Sequence, residues 1–166
     1  MKKMRVSLLS LLVIVTLGGC QSKFDPQSAL KESRERLSNF LSSHEDKEQL
    51  SKTYDKEALE SFFTDENKDY FTENFKENIL PVKLDKLEFD SNADTREIGK
   101  QLLFLSVSNE ENGLFWNKVE IDDEKVDKEK EAVTYYLRSK SHSLPSRYVE
   151  MVKEKGEWKI NNILDI

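Results

Sequence analysis

Apolar and polar positions along the chain change period partway through, and the change divides it into a helical part and a stranded part. Asp25-Pro26 is a helix-start signal, because the aspartate can cap free N–H groups and proline suits the first helical position. Leu30, Leu37, Phe40 and Leu41 then recur at helical spacing among charged residues, which predicts an amphipathic helix of about four turns. A polar break is expected over residues 42–46 and a second helix over residues 47–63, with Leu50, Tyr54, Ala58 and Phe62-Phe63 near one stripe. Thr64-Asp65 opens a third, in which Phe71, Phe75 and Ile79 are spaced by four, and Pro81 is expected to end it.

From Val82 the period becomes two. Val82 and Leu84 alternate, then Leu87 and Phe89 in the other phase, predicting a first strand kinked near Asp85-Lys86. Residues 90–100 read as a loop and residues 102–107 as a strand buried on both faces. After the turn signal Asn112-Gly113, residues Leu114 to Ile121 form the next strand, and residues 122–131 read as a charged turn region. Val133, Tyr135 and Leu137 alternate against Ala132 and Tyr136. After a loop over residues 140–146, a hairpin runs from Tyr148 through Lys155-Gly156 to Trp158, Ile160 and Leu164. Three helices followed by about five strands with hairpin-compatible links imply an α+β domain, its helices packed on one antiparallel sheet.

The start of the chain has a different pattern. Lys2, Lys3 and Arg5 precede a nearly unbroken Leu/Val/Ile run from Val6 to Leu17, then Gly18, Gly19 and the only cysteine, Cys20. A positive n-region, a short apolar stretch and a small-residue exit form a secretory-signal pattern, and the run falls short of the roughly 20 residues a spanning helix needs. Leu17-Gly18-Gly19-Cys20 resembles the lipobox of bacterial lipoproteins. That resemblance implies cleavage after residue 19, a diacylglyceryl (palmitate-type) modification of Cys20, and a location on the extracytoplasmic face of the cell membrane. The expected organisation is a signal peptide over 1–19, a lipidated cysteine and short tether over 20–25, and one domain over 26–166.

Charge narrows the partners. The full chain carries −6, and losing the three basic residues of the leader makes it −9, which argues against nucleic acid and against a polybasic grip on anionic lipid. A single cysteine precludes a disulfide within the chain, so the domain rests on its core. At 35% charged the composition approaches that of disordered chains, but 9 Phe, 5 Tyr and 2 Trp at regular spacing supply what a core needs.

Helices first, a kinked strand, then a meander closing on Gly156-x-Trp158-x-Ile160 is similar to the small NTF2-like (cystatin-like) lipoproteins of bacteria. The resemblance implies a curved sheet wrapped around helices to make a cone, whose mouth binds a ligand or serves for docking. Phe63, Tyr70, Phe104, Trp116 and Tyr135 are the candidates for lining that cone; equally, aromatics at these periods are ordinary core.

Catalytic signatures are sparse. The run Asp90-Ser91-Asn92-Ala93-Asp94 starts like a calcium loop, but Thr95 and Gln101 stand where the turn glycine and the bidentate glutamate belong. Asp122-Asp123-Glu124 reads as a solvated acidic run balanced by Lys125 and Lys128. His44 and His142 lie in polar stretches, and Ser141-His142-Ser143 lacks the third group that would orient a base. No cofactor and no metal are expected. The leading expectation is a non-catalytic lipoprotein that binds a small apolar ligand or an envelope partner. The alternatives are an NTF2-like hydrolase or isomerase, marked by a buried ionisable group in the cone, and an inhibitor or immunity-type lipoprotein, marked by an exposed apolar patch.

Overall fold

Asp25 opens the first helix as its spacing predicts. Its carboxylate accepts the backbone N–H groups of Gln27 and Ser28 at 3.2 and 3.4 Å, and its carbonyl takes the N–H of Ala29 at 2.9 Å. The computed structural model describes residues 24–44, 48–50, 56–87, 105–107, 114–116, 119–139 and 146–164. For residues 48–50, 105–107 and 114–116 it describes the backbone alone.

Helix α1 (Pro26–His44) buries Ala29, Ser33, Leu37, Phe40 and Leu41 on one face. The expected break at residue 42 is not there, and His44 is the helix's last residue rather than part of a linker. Ser42 and Ser43 donate to the carbonyls of Asn39 and Phe40, at 3.3 and 2.9 Å, so both hydroxyls are satisfied within the helix.

The expected second and third helices are replaced by shorter pieces. Strand β1 (Glu48–Leu50) falls inside the first of them, because β3 pairs with it across a long sequence separation. Helix α2 (Lys56–Ser61) continues as a wide π turn, Phe62–Glu66, and then a 3₁₀ turn, Lys68–Tyr70. At Phe71 the chain is extended and bridges Ile160 in parallel. It turns helical again through a π turn at Phe75–Ile79 and helix α3 (Leu80–Leu84). Pro81 therefore stands near the start of α3 instead of ending a helix. Its ring has no N–H to give to the preceding turn, and a widened turn is where a helix absorbs that mismatch. Val82 and Leu84 are helical rather than strand residues: Leu80, Leu84 and Leu87 are buried at helical spacing while Val82 is 56% exposed.

Strands β2 (Leu105–Val107) and β3 (Leu114–Trp116) complete a three-stranded sheet in the order β1-β3-β2. The larger antiparallel sheet is a meander of β4 (Val119–Asp127), β5 (Ala132–Ser139), β6 (Arg147–Glu154) and β7 (Glu157–Leu164). Seven described strands in two sheets thus replace the expected five, and Leu114 to Ile121 is divided between the sheets. The charged run from Asp122 belongs mostly to β4, and the turn is confined to residues 128–131. An edge strand tolerates such a run because its outward side chains stay in water and discourage further pairing. Phe104, Phe89, His142 and the expected loops over 90–100 and 140–145 lie outside the described residues.

Val133, Tyr135 and Leu137 of β5, Val149 and Met151 of β6, and Ile160 and Ile163 of β7 are buried, as is the inner face of α1, which packs on β5 and β7. Phe40, Phe62, Phe63, Phe71 and Phe75 fill the space beside the sheet, with Phe71 and Phe75 stacked at 4.7 Å and Phe63 edge-on to Phe71 at 5.2 Å. Small residues let α1 approach β5: Ser33 Oγ donates to the Ala29 carbonyl at 2.6 Å and shares a 2.7 Å hydrogen bond with the Tyr135 hydroxyl.

A bulge in β7 holds the helical run to the sheet. Glu150 pairs with Asn162 and Met151 with Ile160, which leaves Asn161 as the extra residue. Its side-chain oxygen accepts from Thr72 Oγ1 at 3.0 Å and Asn74 Nδ2 at 3.2 Å, while its amide donates to Glu150 at 2.7 Å. Thr72 also accepts the Phe75 N–H at 3.0 Å, capping the turn that follows.

Chemical denaturation tests this hierarchy. Phe71→Ala should lose about 3–5 kcal/mol of stability by opening the aromatic cluster. Thr72→Val should lose about 1 kcal/mol with the cap, and Val82→Ala should stay within about 0.5 kcal/mol because its side chain is largely in water.

Candidate functional site

A cleft forms where α1 begins. There the first turns of α1 lie over the hairpin end of the larger sheet. Asp25, Ser28 and Glu32 form the helix wall, Lys153 and Trp158 the sheet wall, and the β4–β5 turn closes one side with Lys130 and Glu131. Phe24 stands at the rim, half-buried against the core. The space is about 370 Å³, the lower range for a small-molecule site.

Glu32 is the centre of the site. One of its carboxylate oxygens accepts both the Lys153 ammonium at 2.9 Å and the Trp158 indole N–H at 3.1 Å. Hairpin register produces the pair of donors, since Lys153 and Trp158 are direct cross-strand partners two residues from the turn. That turn is tight because Lys155 and Gly156 both take positive φ, 53° and 89°, as a two-residue type I′ turn requires. The hydrogen bond from Lys153, then that from Trp158, hold the Glu32 carboxyl below the usual carboxylate range. It is therefore an anion at neutral pH, suited to holding a positive group and poorly suited to giving up a proton.

The β4–β5 turn is built differently. Asp127 accepts the N–H groups of Glu129 and Lys130, each at 3.0 Å, and this contact with Lys130 is the main reason its carboxyl too lies below the ordinary range. Glu131 then adopts φ 51° to re-enter the strand, a left-handed conformation that costs a non-glycine residue about 1 kcal/mol.

A second hollow, about 420 Å³ but wide and shallow, lies at the opposite end of α1 among Arg34, Ser38, Leu41, Val119 and Ile121. Beside it Arg34 pairs with Glu124, and Arg138 reaches Asp122 at 3.3 Å and Glu120 at 3.7 Å. Among the described residues no group of three or more His, Cys, Asp or Glu is placed to hold a metal ion, and no helix is long and apolar enough to cross a membrane.

The residues named from sequence fall elsewhere. Phe63 and Tyr135 are buried in the core and reach neither hollow. The Tyr135 hydroxyl, pushed up by burial, is engaged by Ser33 and by the Leu30 carbonyl at 3.1 Å. Tyr70 lies at the core's margin, its ring 4.7 Å from Phe40 and under the Arg36 guanidinium at 4.1 Å. For Trp116 only the backbone in β3 is described, and Cys20 and Phe104 lie outside the described residues. Periodicity missed Glu32 because it sits just off the buried stripe of α1. Hairpin register around Lys155-Gly156 places a lysine opposite a tryptophan, and only the packed helix brings Glu32 to the two donors. Against protein-family models, curated proteins and solved structures, the chain finds no match.

Acid titration tests the role of Glu32. Because its folded pKa is depressed, its contribution to stability is complete above about pH 4.5 and is lost as pH falls through the lower folded value. Trp158 fluorescence should shift over that acid range in the native protein, and the shift should vanish in Glu32→Gln.

Proposed function

We propose that this protein is a bacterial lipoprotein, held to the extracytoplasmic face of the membrane by acyl chains on Cys20, whose domain works by binding rather than catalysis. The anchor reading rests on Leu17-Gly18-Gly19-Cys20 and is supported by where the fold starts. Asp25 caps α1 five residues after the cysteine, so ordered structure follows the lipobox almost at once. Two or three acyl chains hold a protein stably where one does so only marginally, at about 0.8 kcal/mol per buried CH₂.

The observation that carries the binding reading is the state of Glu32. A general acid or base works best with a pKa near neutrality, whereas Glu32 lies below the usual range and is hydrogen-bonded to a lysine and a tryptophan. The group pushed the other way, Tyr135, has its hydroxyl bonded inside the core. We read the domain as NTF2-like, supported by the helix-on-meander arrangement and the Gly156-x-Trp158-x-Ile160 hairpin. In that reading the cone is filled by phenylalanines and the ligand enters at its rim, where Phe24 and Trp158 offer apolar surface beside charged groups.

One feature favours a second reading, docking of a protein partner. Tyr148 is 40% and Leu164 38% exposed, and they are cross-strand neighbours on the outer face of the larger sheet, with Tyr136 5.3 Å from Tyr148. Large apolar groups grouped in this way mark interaction surfaces more often than single ones do.

Membrane fractionation of cells tests the anchor. The native protein should remain with the membrane fraction after a high-salt wash, and Cys20→Ala should move to the soluble fraction. Retention of the variant in the membrane would refute lipid anchoring.

A further inference from the structure

The ion pair in the cleft leaves part of its hydrogen-bonding capacity unused. Glu32 receives Lys153 and Trp158 on the same oxygen, and its other oxygen has no partner among the described residues. Lys153 has three N–H bonds to give, and Glu32 takes one. The two side chains are 48% and 46% exposed, so a molecule in the cleft can reach the unused positions. On the side closed by the β4–β5 turn, the Lys130 ammonium is also without an ion-pair partner among the described residues. Phe24, Val152 and Trp158 supply the apolar lining.

These groups select by sign. Asp25, which also lines the cleft, has both oxygens turned to the N–H groups of Gln27 and Ser28. The charges left to meet a ligand are Glu32 and Glu131 against Lys130 and Lys153. A neutral apolar molecule strips water from all of them and returns no hydrogen bond. A molecule with one charge satisfies one sign and is repelled by the other. One carrying both signs close together satisfies both. Bond lengths place the ammonium nitrogen and the carboxyl carbon of an α-amino acid about 2.5 Å apart. The Glu32 oxygen and the Lys153 nitrogen are 2.9 Å apart, so the two pairs of charges match when laid antiparallel. The cleft volume of about 370 Å³ suits a molecule of that size with an apolar side chain.

We infer that the cleft binds a free α-amino acid with an apolar side chain. The ligand ammonium donates to the unused Glu32 oxygen, its carboxylate lies between Lys153 and Lys130, and its side chain packs on Phe24 and Val152. This rests on the binding role proposed for the domain and names the ligand class. Hydrogen bonds between charged groups are the strong ones, and here each charge of the ligand meets one.

Isothermal titration of the acylated full-length protein in detergent micelles, with protein-free micelles as the blank, provides the test. The probes share one apolar body and differ in charge: L-phenylalanine, phenethylamine and 3-phenylpropanoate. L-Phenylalanine should bind at least about tenfold more tightly than either analogue, the loss expected when one charged hydrogen bond goes unmade. Glu32→Gln should bring it to within about threefold of 3-phenylpropanoate, and Lys130→Gln to within about threefold of phenethylamine. Circular dichroism checks the fold of both variants, and Lys130→Gln, in an exposed turn, carries the test if Glu32→Gln is unstable. An analogue that binds as tightly as L-phenylalanine, or folded variants that keep the tenfold preference, overturns the amino-acid assignment and leaves the binding role standing. Absence of saturable binding by all three probes overturns the assignment as well. Chemical conversion of L-phenylalanine, seen by mass spectrometry, would overturn the non-catalytic role instead.

Discussion

Burial of one aromatic cluster against the sheet is what the rest of the domain depends on. Phe40 comes from α1, Phe62 and Phe63 from the wide turn after α2, Phe71 from the bridge to Ile160, and Phe75 from the π turn that follows it. Apart from the 19-residue α1, each segment is too short or too irregular to persist alone, because an isolated helix of fewer than about 12 residues is marginal in water. They hold their shape because their rings meet in one place. The single cysteine allows no disulfide within the chain to share this load.

Irregular backbone is the consequence of bringing those rings together. Two π turns and an extended pair at Phe71-Thr72 re-aim the chain so that successive phenylalanines face the same side. The disturbed hydrogen bonding is made good by polar side chains, chiefly Thr72 as a cap and Asn161 as the bulge residue that receives it. The bulge moves Asn161 out of the ladder and shifts the phase of β7, so that Trp158 and Ile160 share the inner face with Ile163. Packing in the core and the placing of Trp158 at the cleft thus share one cause.

The cleft is a product of the same geometry at its margin. Aromatic packing brings α1 down on β5 and β7, and the first turns of the helix overhang the hairpin end of the sheet. There Glu32 meets a lysine and an indole, and three polar groups satisfy one another at the border between core and water. The result is a fixed anion beside an apolar rim, open to water on one side.

Much of this was readable along the chain, wherever neighbours in sequence are also neighbours in space. The α1 start at Asp25-Pro26, the buried alternation Val133-Tyr135-Leu137 and the turn at Lys155-Gly156 all follow from local periodicity and local backbone preference, as does the α+β class. The region from Glu48 to Leu87 was not readable in this way. Its pairing partners, Phe115 for Glu48 and Ile160 for Phe71, lie more than sixty residues away, and a strand or bridge made at that distance overrides the helical spacing around it. Charge misled the reading of β4 for a related reason, since among the described strands it pairs with β5 alone, and that position at the sheet's edge is not written in its own residues. The cleft needed the folded chain altogether: Glu32 is separated from Lys153 and Trp158 by more than a hundred residues, and nothing short of the packed helix brings one carboxylate within 3.1 Å of both donors.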